Sequence, residues 1–222
     1  MRKITKNLSP VSLESYKRRN PSNRYSDLSP QNDNDARVLA DVGEACTKEQ
    51  YFLCAYCCCE ISGAAEDTRN EHVQARRLAP DLSLDFNNIV ASCKTLAQCD
   101  DAHGSQALGL MPLMQECETE LQFTINGRVK GLTEQARQTI DVLRLGGERD
   151  NNRSLIEKRK RLVEALIWSY NENPDEIFTE SEETLMCLID DLLQPEQGKL
   201  QPYGPVLVNI LKGWLGAVNI TA

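Results

Sequence analysis

The chain has 222 residues, 41% of them apolar, and a net charge of −8. These values exclude wholesale disorder and argue against a free-standing, tight nucleic-acid binder, which is usually basic. The length suits one well-buried domain or two small ones.

The opening "MRKITKNLSP" has basic residues with no apolar run behind them, so it does not read as a signal peptide. No stretch approaches the length of a membrane-spanning helix. The expectation is a cytoplasmic protein without a membrane partner, in a compartment where thiols stay reduced and a disulfide framework does not form. Arg2, Lys3, Lys6, Lys17, Arg18, Arg19 and Arg24 face only Glu14 in the first segment. Arg69, Arg76 and Arg77 cluster further on, and Lys158, Arg159, Lys160 and Arg161 form another run. Each basic patch is either a set of phosphate contacts or a solvated face.

In chain order, "PVSLESYKRRN" predicts a short helix and "NDARVLADVGEACTKEQ" a longer one, capped near Asp33 or Asn34. From Phe52 to Gly104 periodicity is weak. That window holds six of the nine cysteines and both histidines. It reads as a loop-rich site with short strands around "RNEHV" and "NNIVAS". "ELQFTINGRVKG" predicts a hairpin turning at Asn126-Gly127. "TEQARQTIDVLRL" predicts a helix stopped at Gly146-Gly147. Ser154 and Glu157 suggest a capping box before a helix whose apolar residues are Leu155, Leu162, Leu166 and Tyr170. A helix from Glu180 to Leu193 and a last one through "PVLVNILKGWL" follow, with Trp168 and Trp214 expected in the core. The division is 1–50 (helical and basic), 51–110 (the site) and 111–222 (hairpin and helical body).

The stretch "YFLCAYCCCEISG" admits a disulfide staple, a redox pair or a metal site. A redox pair belongs at the start of a helix after a strand in a thioredoxin-like alternation, which is not present. A zinc knuckle needs two sulfurs from a tight turn and two from elsewhere. Cys54 and Cys57 supply the first pair, and Cys93 and Cys99 in "SCKTLAQC" the second, so a structural Zn2+ is expected. The competing readings are a reduced, partly buried set of thiols, or a thiol nucleophile at Cys54 or Cys99. Cys58 and Cys59 then fill space or stand in for Cys57, while Cys46, Cys117 and Cys187 are expected as small core residues.

Glu71-His72, then Asn88 with Ile89-Val90, then Cys99 and a polar residue, resemble the HNH endonucleases, whose zinc-stapled branch has cysteine pairs flanking the site. The start "MRKITK", "LCAYC", "EH", "SC", "ARQTIDVLRL" and "PYGPVLVNILKGW" resemble, more narrowly and over nearly the whole chain, the HNH partner of Septu anti-phage systems, including its retron-linked toxic effectors. The resemblance implies an α+β fold, a zinc-stapled ββα-metal core on a mainly α-helical body. It implies His72 as general base, Asn88 (or Asn87) orienting the histidine or its loop, and Glu71 with Asp100 or His103 holding catalytic Mg2+ or Mn2+. Many relatives carry lysine-glycine where this chain has His103-Gly104, which favours Asp100 but leaves both open. Arg76 and Arg77 become candidate phosphate contacts.

The chemistry is sensible on its own terms. Phosphodiester hydrolysis needs an activated water, a cation on the phosphate and relief of charge on the leaving oxygen. A neutral histidine can take the water's proton near neutral pH. DNA is the family default, and RNA, including transfer RNA, is feasible. The chain lacks a G-x-x-x-x-G-K-[ST] phosphate loop, so it cannot use ATP by that route; the Septu resemblance implies an ATPase partner that holds it. Retron-linked versions add a reverse transcriptase with its RNA–DNA product. The helices from Ser154 to Leu193 and Pro205 to Leu215, with the basic N-terminus, are candidate docking surfaces. The other reading is a zinc-stabilised adaptor that binds a partner and cuts nothing, which would have no need of Glu71-His72 beside Asn88.

Overall fold

The first ten residues form no regular element, yet they are pinned. Met1 and Ile4 are buried, and the Ile4 amide donates to Pro112 O at 2.8 Å. Lys6 Nζ pairs with buried Glu49 and donates to Ile89 O at 2.6 Å. The computed structural model describes residues 1–148, 152–170 and 181–221, with side chains left out at 168–170 and 216–221.

Helix α1 (Val11–Arg19) and helix α2 (Asp33–Glu49) follow. Asn32, one residue before the expected cap, starts α2 because its side chain accepts from the amides of Asn34 and Asp35. Val38, Val42 and Cys46 recur every fourth residue and are buried, so α2 lays one stripe on the first sheet. Gly43 permits the approach: a Cβ there would lie 2.9 Å from Asn70 Oδ1.

That sheet pairs β1 (Thr68–His72) antiparallel with β2 (Ile89–Cys93), placing Glu71 opposite Val90 and His72 opposite Ile89. Strand β2 is buried throughout. Its free edge is satisfied in part by a side chain: the Gln50 amide both donates to Ala91 O and accepts from Ala91 N. The one-turn helix α3 (Asp100–His103) comes next. The order is strand, long loop, strand, short helix.

A hairpin of β3 (Leu121–Phe123) and β4 (Val129–Gly131) turns at the expected Asn126-Gly127, with Gly127 at φ 82°. Helix α4 (Glu134–Leu143) ends on Arg144 in the left-handed region, φ 52°, not on the glycine pair. Gly146 is left-handed two residues later. In α5 (Arg153–Tyr170) the cap is Asn152, whose Oδ1 accepts from Leu155 N at 3.1 Å; Ser154 lies inside the first turn. Asn152 also donates to Gln98 Oε1 and Arg144 O, work that a serine hydroxyl in the next turn could not do.

Ser181 caps α6 (Glu182–Leu193), which packs against α7 (Gly204–Thr221). Glu180 lies outside the described residues, as do the side chains of Trp168 and Tyr170. Trp214 is half-buried against the core. Helix α7 packs on α6 and also meets β3, and Leu185, Leu188, Ile189, Leu207, Ile210 and Leu211 are all buried in the common core. Cys46 and Cys117 are core residues as expected, but Cys187 is exposed on α6. The architecture is mixed α and β: helices around two two-stranded antiparallel sheets, with buried apolar side chains from Met1 to Leu211 in one cluster. Among the described residues no helix is long and apolar enough to cross a membrane.

Candidate functional site

Cys54 and Cys57 sit on the turn before β1, Cys93 ends β2 and Cys99 precedes α3. Their four sulfurs lie within 4.8 Å of one another, and all four residues are buried. The Cys57–Cys93 separation is 3.9 Å. Four sulfurs placed about 2.3 Å from a tetrahedral zinc are spaced by about 3.8 Å, so the set has the size to hold one metal ion. The turn that brings the first pair together closes through Cys58 N donating to Cys54 O and Cys54 N to Cys59 O. Cys58 and Cys99 are both left-handed, at φ 63° and 54°, a strained state for a residue with a Cβ.

Polar hydrogens surround the cluster. Cys93 N donates to Cys54 Sγ at 3.3 Å and Gln98 Nε2 to Cys93 Sγ at 3.9 Å. Hydrogen bonds from Cys54, Cys57 and Cys59 hold Cys93 far below the ordinary thiol range. Cys58 is buried and Cys59 half-buried, beside the set of four and not in it.

The second centre is a polar cleft of about 310 Å³ at the end of β1, lined by Arg69, Glu71, His72, Arg76 and Asp100 among others. Alternation along the strand divides its groups. Arg69 and Glu71 face α3: Arg69 pairs with Asp100 at 2.8 Å, and Glu71 Oε1 meets His103 Nδ1 and accepts from Tyr56 OH at 3.2 Å. Asp100 and His103 lie three residues apart on α3 and so share a face. Burial, with Asp100 nearby, pushes Glu71 up to about 7. Burial would lower His103, but its bond to Glu71 raises it. His103 Nε2 lies 2.8 Å from Gln106 O; a carbonyl only accepts, so Nε2 carries a hydrogen and Nδ1 shares a proton with Glu71. Glu71, Asp100 and His103 do not close into a cluster as tight as the cysteines; among the described residues only the cysteines do.

Asn70 and His72 face the other way, toward α2 and the N-terminal segment. His72 Nε2 is 2.9 Å from Ser83 O. By the same reasoning Nε2 is the donor, and Nδ1 keeps a free lone pair. Burial lowers His72 to about 4, so the ring is neutral at pH 7. Tyr25, far away in sequence, packs edge-on against the ring at 4.6 Å and carries Arg76 over its own face at 5.7 Å.

Asn88 is buried and ties the loop between the strands. Gln74 N donates to its Oδ1 at 2.8 Å, and its Nδ2 donates to Gln74 O at 3.0 Å. Asn87 is exposed and bonds only within its own turn, to Asp85, so Asn88 is the structural member of the pair. A second cleft, of about 350 Å³, adjoins the first through Arg76 and Gly104; Arg24, Arg77, Ser26, Ser83 and Ser105 line it. Arg76 and Arg77 are exposed there.

Compared with known proteins, the chain matches no protein-family model and no curated protein. The residues singled out in the sequence thus stand on geometry alone. The four cysteines meet at one point; Glu71, His72 and Asp100 line one cleft, His103 stands behind Glu71, and Asn88 holds the loop between the strands. Arg24 is singled out there only as part of a basic patch, and Tyr25, Tyr56 and Ser83 are not singled out at all. Of these only Tyr25 carried any signal, as an isolated aromatic in an otherwise polar segment.

Proposed function

We propose that the chain is a metal-dependent endonuclease of the HNH type, hydrolysing phosphodiester bonds in DNA or RNA. The observation that carries this reading is His72: a neutral imidazole with a free Nδ1, held at a cleft that also presents Glu71, Asp100 and two arginines. In this reading His72 takes the proton of the attacking water. Ser83 O fixes its tautomer and Tyr25 its ring plane. Arg69 and Arg76 face the phosphate oxygens, and Arg77 and Arg24 extend the basic surface along the strand.

Glu71, with Asp100, His103 or both, would hold a divalent cation such as Mg2+ or Mn2+. The donor set fits: Glu71 and His103 already share a proton that a cation would replace, and Asp100 stands on the same face of α3 as His103. Such a cation supplies positive charge to the phosphate and the leaving oxygen. Asn88 keeps the loop, and with it Ser83, in register with His72. The cysteine set is read as a structural zinc site, because its four sulfurs leave no open position. The wider role, an effector of anti-phage defence held by an ATPase partner and in retron-linked systems by a reverse transcriptase, rests on the resemblance of the sequence.

The test is cleavage of DNA and RNA pools with mapping of the ends, by the chain alone and with the neighbouring ATPase. His72→Ala should lower the rate by ~10²–10⁴-fold and leave partner binding intact. A variant that cuts at the wild-type rate removes His72 from the mechanism. A wild-type complex that cuts neither polymer favours the adaptor.

A further inference from the structure

Of the basic run on α5, Lys158, Lys160 and Arg161 are exposed. Arg159 is 1% exposed. Its Nη1 donates to Leu145 O at 2.6 Å, and its guanidinium carbon lies 4.8 Å from the Phe123 ring centroid. Nε and Nη2 have no hydrogen-bond partner. Among the described residues no carboxylate stands within ion-pair distance of it. A buried, uncompensated cation is one of the least favourable objects a protein interior can contain, so something anionic is expected beside it.

Burial disfavours the charged form of Arg159, and the electrostatic influences that oppose it come from Cys57, Cys58, Tyr203 and Cys99. Backbone contacts tie the same elements together. Cys99 N donates to Leu143 O, two residues before the carbonyl that holds Arg159. Tyr203 N donates to Cys58 O at 2.7 Å. Asn152, the cap of α5, donates to Gln98, which in turn donates to Cys93 Sγ. As free thiols the cysteines give the cation little. As four thiolates around a divalent ion they form a dianion, itself costly to bury.

We propose that Arg159 is the counter-charge of the loaded cysteine metal centre, a positioning residue that touches no substrate. The inference rests on the metal reading of the four cysteines. Metal-loaded, the protein contains a compensated pair; metal-free, it contains an orphaned cation under α5.

The test uses the full chain, with zinc affinity measured against a chromophoric chelator and thermal melting measured on metal-free protein. Arg159→Met should bind zinc ~10–100-fold more weakly. Its metal-free form should melt no lower than wild type, since the orphaned charge is gone. Arg159→Lys should hold zinc within several-fold of wild type. An arginine that only packs would lower the metal-free melt and leave zinc affinity unchanged, and that result overturns the proposal. If Arg159→Met does not fold, Arg159→Lys and Arg159→Gln decide: equal zinc affinity in the two overturns it, and retention by lysine alone supports it. Wild-type protein that binds no zinc with its thiols reduced removes the metal reading itself, a different failure from a zinc site indifferent to residue 159.

Discussion

The molecule has two polar centres, built from neighbouring residues by opposite rules. The cysteine centre is buried, and its four like donors lie within 4.8 Å of one another. The cleft at the end of β1 is open, its donors are mismatched in kind, and they pair with arginine, tyrosine and histidine instead of closing on one point. A closed set of like donors does one thing, which is to tie chain segments together. An open set of unlike donors, with one base held neutral, can act on something that enters. Both draw on the same two strands and short helix, so the closed centre can stiffen the open one.

The largest effect should come from breaking the closed centre. If the cysteines hold zinc as proposed, chelation under reducing conditions, or Cys93→Ala, should abolish cooperative melting of the segment between Leu53 and Gly104. Thiolate zinc sites contribute ~10–16 kcal/mol, comparable to a whole domain's stability of ~5–15 kcal/mol. Withdrawing Mg2+ from the medium should shift the melt by no more than ~1–3 kcal/mol. Equal responses would erase the contrast between the centres.

Next comes pH. The unfolded chain protonates His72 near 6.5 and the folded chain only at about 4. The folded state therefore loses ground as pH falls across that window. Between about pH 7 and pH 4.5 wild type should lose roughly 2–3 kcal/mol relative to His72→Gln in denaturant titrations. Glu71 acts in the opposite sense: its pKa is raised from 4.5 to about 7, so the metal-free fold weakens as pH rises through that range. Glu71→Gln should remove this loss, along with any stabilisation by Mg2+. The two slopes oppose each other in the same window and largely cancel in the wild type, so the single variants decide: a His72→Gln or Glu71→Gln protein whose pH dependence matches wild type contradicts the corresponding assignment.

Asn88→Ala should destabilise by ~1–3 kcal/mol, because both backbone groups of Gln74 lose their buried partner. Amide exchange should rise in residues 73–88 and not around the cysteines. The smallest effect is at Cys187, exposed and outside both centres. Cys187→Ser should change stability by less than about 0.5 kcal/mol, whereas Cys99→Ser should not be tolerated.

What the sequence made legible was local. The two-residue spacer of Cys54 and Cys57 and the apolar periodicity of α2, α4 and α6 survive in the structure because each is decided within a few residues. The caps were displaced because they follow the backbone's arrival: Asn32 meets the amides of Asn34 and Asp35, and Asn152 caps α5 while also bonding Gln98 and Arg144. Tyr25 and Arg24 reach the cleft from a segment that reads only as a basic linker, and no short-range pattern encodes such a contact. Arg159 was hidden by charged neighbours. Its signal was position: with Leu155 and Val163 it keeps a four-residue step along the buried stripe of α5, where a cation has to be answered from outside the helix.

Strand β1 carries one further consequence. Glu71 and His72 are adjacent, so the strand is a partition with one tool on each wall. Moving its register by a single step would exchange the two tools, putting the base against α3 and the carboxylate against Tyr25. The loop 73–88 has no such arithmetic, since lengthening a closed loop by one residue adds only a small entropic term. Single-residue insertions should therefore divide sharply: silent at the exposed tip near Leu78, and ruinous anywhere from Thr68 to His72, even when the inserted residue is as bland as alanine.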